Sequence, residues 1–191
     1  MYICARGENF SFAKEIGVGL IDSAIELTSL IIKESPKELI FIGSAGSYSK
    51  DINMFDIFIS NTATQIESSF INADSYTPIE NKIEIVSYET SNNDIDKFSQ
   101  NKDKNIIINS SNYININETN AKKFQNAGIL LENMEFYSIL KVANYFKIPT
   151  LGIFCITNYC DRNAHSDFIK NHKKAKEKIE NYIKIQHGKY F

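Results

Sequence analysis

Apolar and polar residues follow two rhythms along this chain. Tyr2–Ala5 is a short apolar run of the kind that a sheet buries. Leu20, Ala24, Leu27 and Ile31 then recur at three- and four-residue intervals, which predicts an amphipathic helix with Gly17 and Gly19 just ahead of it. The run ELIFIGSAGS (38–47) is continuously apolar before its glycines and serines, the pattern of a parallel strand covered on both faces. Asp56–Ser60 predicts another short strand. From Asn61 to about Ser87 the pattern is irregular, with short strands such as KIEIVSY and a turn at TPIENK. The polar stretch from Thr90 to Lys104 predicts a surface connection. Buried-strand patterning returns in NIIINSS, GILLENM and TLGIFCITNY, and FYSILKVANYFKI predicts a helix stopped by Pro149. Phe168, Ala175, Ile179, Tyr182 and Ile183 lay an apolar stripe along a closing helix.

Strands alternating with helices predict an α/β class: a mixed, mostly parallel sheet flanked by helices. With 191 residues, three prolines and no Pro-, Gly- or Ser-rich linker, the expectation is one domain over 1–191.

Composition narrows the function classes. A hydrophobic fraction of 43% excludes a disordered chain. The 21 basic and 23 acidic side chains leave a formal net charge of −2, which argues against a nucleic-acid binder working by phosphate neutralisation. The three cysteines, Cys4, Cys155 and Cys160, have no CxxC spacing, so they read as buried thiols in a reducing compartment, with no metal site expected. No apolar run approaches the roughly 20 residues a membrane span needs, and MYICARGENF lacks a secretion-signal pattern, so a cytoplasmic protein is expected.

Ligands of open α/β sheets collect at the carboxyl ends of strands. Four polar clusters stand at such ends. Gly43-Ser44-Ala45-Gly46-Ser47 lets main-chain N–H groups and hydroxyls approach a ligand oxygen, or is simply a tight turn. Gly17-Val18-Gly19 precedes a helix and is read either as a binding turn or as close packing. Asn133-Met134-Glu135 ends a strand, where a carboxylate can accept two hydrogen bonds from a vicinal diol or favour a helix N-terminus. Thr157 to Asp161 follows a strand, and the Asn158 amide offers a donor and an acceptor to a purine edge or forms an Asx turn.

In this order the motifs IGVGLIDSA, LIFIGSAGS, NMFDIFIS, NSSNYI, LLENMEF and FCITNY resemble the nucleoside phosphorylase/nucleosidase superfamily over most of the chain. The resemblance implies that superfamily's fold with a shortened N-terminus, and cleavage of a ribose–base N-glycosidic bond. It implies that Glu135 clamps the ribose hydroxyls, that Met134 packs beneath the sugar with Asn133 beside it, and that Tyr113 stacks on the base. Ser44, with the Gly43 and Ala45 main chain, would line the nucleophile pocket, and Gly19 would lie against phosphate or water. Asp56 would be structural.

The chain also departs from the superfamily. Hexameric phosphorylases carry an Arg just before the GSAG-like turn, where this chain has Phe41 and Ile42, so a phosphate would need Arg6 or a neighbouring subunit. Nucleosidases and hexameric phosphorylases use an Asp as acid where this chain has Asn158. A TN pair resembles the trimeric purine phosphorylases, whose Asn binds a 6-oxopurine. Asp161, three residues on, is a candidate substitute acid, and Glu8, near where the nucleosidases keep their water-activating Glu, is read either as that base or as a solvated loop acid. His165, His172 and His187 read as surface residues.

The resulting expectation is a purine nucleoside phosphorylase-like enzyme with Asn158, Glu135 and Ser44 as catalytic groups, phosphate as co-substrate and no cofactor. Its alternatives are a nucleosidase using water and a catalytically silent nucleoside binder. A homo-oligomer is expected, with Thr64–Tyr76 as a shared edge, and no nucleic-acid or membrane partner.

Overall fold

The computed structural model describes residues 1–85 and 106–187. In chain order it contains β1 (Tyr2–Ala5), β2 (Lys14–Ile16), α1 (Gly19–Glu34), β3 (Leu39–Ser47), β4 (Ile57–Ser60), β5 (Thr62–Thr64), α2 (Ser68–Ile71), β6 (Lys82–Glu84), β7 (Ile107–Asn109), α3 (Glu118–Asn126), β8 (Ile129–Glu132), α4 (Phe136–Phe146), β9 (Thr150–Tyr159) and α5 (Ala164–His187). The surface connection expected over Thr90–Lys104 lies outside the described residues, as does the end of the KIEIVSY strand.

Among the described residues the strands form one mixed sheet, with β3 at its hub. One edge of β3 pairs in parallel with β9 over its whole length. The other edge is shared: β1 pairs in parallel with Ile40 and Phe41, and β8 pairs antiparallel with Gly46 and Ser47. Parallel β8–β7 and β7–β5 pairs extend the sheet, and antiparallel β4 closes on β9. The predicted α/β architecture is the one observed.

Side chains alternate across the hub strands. Phe41 of β3 and Phe154 and Ile156 of β9 face α1 and α4, packing with Leu20, Leu27, Phe136, Ile139 and Leu140. Ile40 and Ile42 of β3 and Ile153 and Cys155 of β9 face the other way, against Ala175, Ile179 and Ile183 of α5. This period-two alternation is why both strands read as unbroken apolar runs: both faces are covered.

The structure corrects several expectations. The GSAGS segment is no turn, because β3 runs through it to Ser47. Thr157-Asn158-Tyr159 likewise belongs to β9. Four elements had no strong sequence signal: β2, β5, α2 and α3. Helix α3 buries only Ala121 and Phe124, three residues apart, too thin a stripe to announce a helix. Its start is fixed by the Asn117 side chain, which accepts from the Thr119 and Asn120 N–H groups at 2.8 and 3.2 Å. Helix α4 stops before Pro149, with Lys147 as a left-handed cap at φ 57°.

Candidate active site

Because β1 leaves β3 after Phe41 and β8 joins it only at Gly46, the edge of β3 between them has no strand partner among the described residues. A strand edge left open in a protein interior must find other hydrogen bonds. The Ser44 N–H donates to Glu8 Oε1 at 2.9 Å, and the Ser44 carbonyl accepts from Asn133 Nδ2 at 3.1 Å. A cavity of about 450 Å³ opens at this gap, with Glu8, Ser44, Ala45, Asn133, Met134, Glu135 and Asn158 among its walls.

Glu8 stands in the turn that follows β1, where Gly7 takes φ 95° and Asn9 φ 56°. Its carboxylate is buried and holds three hydrogen bonds, which leaves one acceptor site open. Oε1 accepts from the Ser44 N–H and from Ser44 Oγ at 2.7 Å, and Oε2 lies 2.7 Å from His172 Nε2. Burial pushes the Glu8 carboxyl up, but the His172 hydrogen bond and the two from Ser44 outweigh it and hold it below its ordinary value. The same bond raises the His172 imidazole above its ordinary value, against burial. Both shifts favour the charged form of the pair, carboxylate against imidazolium.

Glu135 lines the same cavity, at the start of α4. Asn133 Oδ1 accepts from the Glu135 and Phe136 N–H groups at 2.9 and 3.0 Å, which sets the entry of the chain into the helix. Glu135 Oε1 accepts from the Gly19 N–H at 3.0 Å, and the next helical N–H, of Leu20, donates to Asn112 Oδ1 at 2.8 Å. Gly19 takes φ 78°, and a Cβ there would stand 2.7 Å from Asn112 Oδ1, so glycine is required by conformation and by space. Burial, helped by the nearby Glu8 charge, pushes the Glu135 carboxyl up to about 7 despite the Gly19 bond. One buried carboxyl is thus held ionised and a second is poised near neutrality in the same cavity.

The predicted residues separate into three groups. Glu8, Ser44, Ala45, Asn133, Met134, Glu135 and Asn158 share the cavity wall, as does Arg6, which is ion-paired with Glu26. Asn158 Oδ1 accepts from Thr157 Oγ1 at 2.9 Å and its Nδ2 donates to the Tyr159 carbonyl at 3.1 Å, leaving one N–H and one lone pair of the amide for a ligand. Gly43 and Gly19 stand behind the wall: a Cβ on Gly43 would be 3.4 Å from Glu8 Oε1, while Gly19 holds Glu135.

Two residues fall outside. Tyr113 is 80% exposed, and its neighbour Ile114 lines the cavity in its place. Asp161 is ion-paired with Lys50 and accepts from the Asn163 N–H at 2.9 Å, so it holds the start of α5 and is no substitute acid. Asp56, bound by the Asn53 N–H at 3.1 Å, has the structural place expected of it.

Three titratable wall residues lie outside the sequence-derived candidates: His172, His165 and Glu132. His172, expected at the surface, is the partner of Glu8. The signal for His172 was present: it falls on the face of Phe168, Ala175 and Ile179, a polar residue within an apolar stripe. The side chain of His187 is outside the described residues. Glu132, the last residue of β8, accepts from Tyr48 Oη at 2.8 Å and the Asn115 N–H at 3.0 Å, and burial pushes it up to about 7.

Comparison with known proteins places this geometry. No curated protein sequence matches the chain significantly. Its fold is similar to a futalosine hydrolase mutant of Helicobacter pylori strain 26695, with TM-score 0.76, 18% identity, and 97% of this chain and 96% of that one covered. An S-adenosylhomocysteine nucleosidase from Streptococcus pyogenes, solved with 5-methylthiotubericidin, is similar with TM-score 0.76 and 13% identity over 100% and 96%. A 5′-methylthioadenosine/S-adenosylhomocysteine nucleosidase from S. pneumoniae, with a transition-state inhibitor, gives TM-score 0.74 and 16% identity over 95% of each chain. The sequence model of the phosphorylase superfamily matches residues 2–185, and with the strand-edge cavity and its paired carboxyls in place, this chain belongs to the phosphorylase superfamily.

Proposed function

We propose that this protein is a nucleosidase that hydrolyses the N-glycosidic bond of a purine nucleoside. The observation that carries the reading is the Glu8 carboxylate, held at the cavity wall by two donors from Ser44 and by His172, with Glu135 lining the same cavity. An ionised carboxylate at that place is a base for water and a poor neighbour for a phosphate dianion. Ser44 Oγ donates a hydrogen bond to Glu8 and so orients the base.

Hydrolysis then divides among the walls. A water gives a proton to Glu8 as its oxygen bonds to the anomeric carbon, and the pair of the C–N bond leaves with the base. Glu135 accepts from the ribose hydroxyls and fixes the sugar against the Met134 wall. The free N–H of the Asn158 amide meets the charge growing on the base, and its remaining acceptor suits the protonated ring nitrogen of a 6-oxopurine. The structural relatives support this reading, since those named as nucleosidases were solved with nucleoside analogues. Phosphorolysis, the first expectation from the sequence, has less support: Phe41 and Ile42 stand where hexameric phosphorylases carry Arg, and Arg6 is paired with Glu26.

The test is base release, followed by chromatography, from inosine, guanosine, adenosine, methylthioadenosine and futalosine, with and without phosphate. We expect release without phosphate, and Glu8→Gln lowering kcat on the order of 10²- to 10⁴-fold with an unchanged circular dichroism spectrum. Release only with phosphate assigns the chain to the phosphorylases, and binding of these compounds without turnover makes it a silent relative. A homo-oligomer belongs to the same proposal. Ile21, Ile25 and Ile32 are each more than 60% exposed on α1, and in the Thr64–Tyr76 segment Tyr76 is 89% and Phe70 37% exposed, so both faces are candidates for the contact. Light scattering after size exclusion should give a multiple of 21.8 kDa.

A further inference from the structure

We propose that His172 is the positioning residue of Glu8: carried into the cavity wall by the closing helix, its imidazolium fixes the second oxygen of the carboxylate and keeps that base ionised. The inference rests on the nucleosidase reading and adds to it a residue from the far end of the chain.

The geometry is specific. Ser44 supplies two donors to Oε1 but none to Oε2, and Oε2 has His172 Nε2 at 2.7 Å. Glu8 is 8% exposed, so an unpartnered Oε2 would face a desolvated cavity and favour the protonated acid, which cannot take a proton from water. With both oxygens held, the plane of the carboxylate is fixed and its remaining lone pair keeps one direction.

His172 is itself anchored. The apolar stripe of Ala175, Ile179 and Ile183 packs α5 on the sheet, and Asn171 Nδ2 donates to the Thr157 carbonyl at 2.8 Å, which sets the helix against β9. The Phe168 ring lies 5.0 Å from the imidazole, one turn away.

Other charges surround the pair. Lys176, one turn further along α5, opposes protonation of His172 and is held by the Asn9 carbonyl. Glu135 and Glu132 line the same cavity, with Arg6 and His165 also on the wall. Glu8 is the group in hydrogen-bond contact with the ring, so its charge governs the ring's titration.

The experiment has two arms. In the first, histidine ring resonances are followed by NMR against pH, with His172 assigned from a His172→Gln variant. We expect a His172 midpoint above 6.5 in the unmodified chain that falls by about one pH unit or more in Glu8→Gln. In the second arm, base release is measured at pH 7. His172→Ala should lower kcat about tenfold or more with KM within about twofold, and His172→Gln, which keeps a donor, should recover part of the loss.

A kcat for His172→Ala equal to that of the unmodified chain, or a His172 midpoint unmoved by Glu8→Gln, overturns the positioning role. A chain that turns over no nucleoside overturns the nucleosidase reading, and the hydrolytic role of His172 falls with it. The NMR arm distinguishes that failure, because it reports the pair whether or not turnover occurs.

Discussion

Glu8 and Glu135 share a cavity but sit in opposite electrostatic situations. Glu8 has three hydrogen-bond partners on its two oxygens, two from Ser44 and one from His172, and these hold it below its ordinary value against burial. Deep burial and the negative field of Glu8 raise Glu135 to about 7, against the lowering effect of the Gly19 N–H. A diol needs acceptor oxygens, so nucleoside binding should demand the ionised form of Glu135. The expected outcome is an affinity, measured by calorimetry, that weakens as pH falls through about 7, approaching tenfold per pH unit below it. Glu135→Gln should bind more weakly at pH 8 and lose this slope, whereas a slope unchanged in that variant would remove Glu135 from ribose recognition. The identity of Glu135 as a candidate was legible from its strand-end position and its motif. The partner that holds it, the Gly19 main chain 116 residues away, was not, because no local pattern records a contact across that separation.

At the scale of elements, the site depends on how strands and helix starts meet. The open edge of β3 between β1 and β8 is closed by side chains: Glu8 on the Ser44 N–H and Asn133 on the Ser44 carbonyl. The first turn of α1 is closed in the same way, by Glu135 and Asn112. Gly19→Ala should therefore do two kinds of damage. The left-handed φ of 78° and the 2.7 Å approach to Asn112 Oδ1 predict a loss of roughly 1–3 kcal/mol, read as a lower Tm. Displacement of the Gly19 N–H from Glu135 predicts a higher KM as well. A variant with the parental Tm and KM would show that this N-terminus tolerates a side chain. Sequence patterning found the long elements β3, α4, β9 and α5, whose apolar periodicity spans many residues. It missed α3 and β5, because nine residues with two buried side chains, or three strand residues, carry too little pattern.

Over the whole molecule, two buried carboxyls and the half-buried His172 act on stability in one direction. Glu132 and Glu135 are raised from an ordinary 4.5 to about 7, and His172 is raised above 6.5. A group raised on folding stabilises fully below its unfolded value, and that contribution is lost as pH climbs through the folded one. The two carboxyls carry on the order of 3 kcal/mol each, and His172 adds to the same trend. Glu8, lowered on folding, works in the opposite sense but only on the acid side of 4.5. Scanning fluorimetry should thus find Tm higher near pH 5 than near pH 8 by several degrees, with a shallower slope in Glu135→Gln. A Tm that rises over this interval would contradict the assigned ionisation of the buried carboxyls.

The amino-acid order by itself determined the α/β class, the main strands and helices, and the cluster of Ser44, Asn133, Glu135 and Asn158, because those signals are local: apolar period, strand-end polarity and short motifs. Only the tertiary structure decided that Glu8 and His172 form a pair 164 residues apart, that Asp161 turns to Lys50, and that Tyr113 faces outward. Those outcomes depend on which strand edge is left open and which helix face packs over it. The energy that settles them is long-range burial and hydrogen-bond completion, which no window of neighbouring residues encodes.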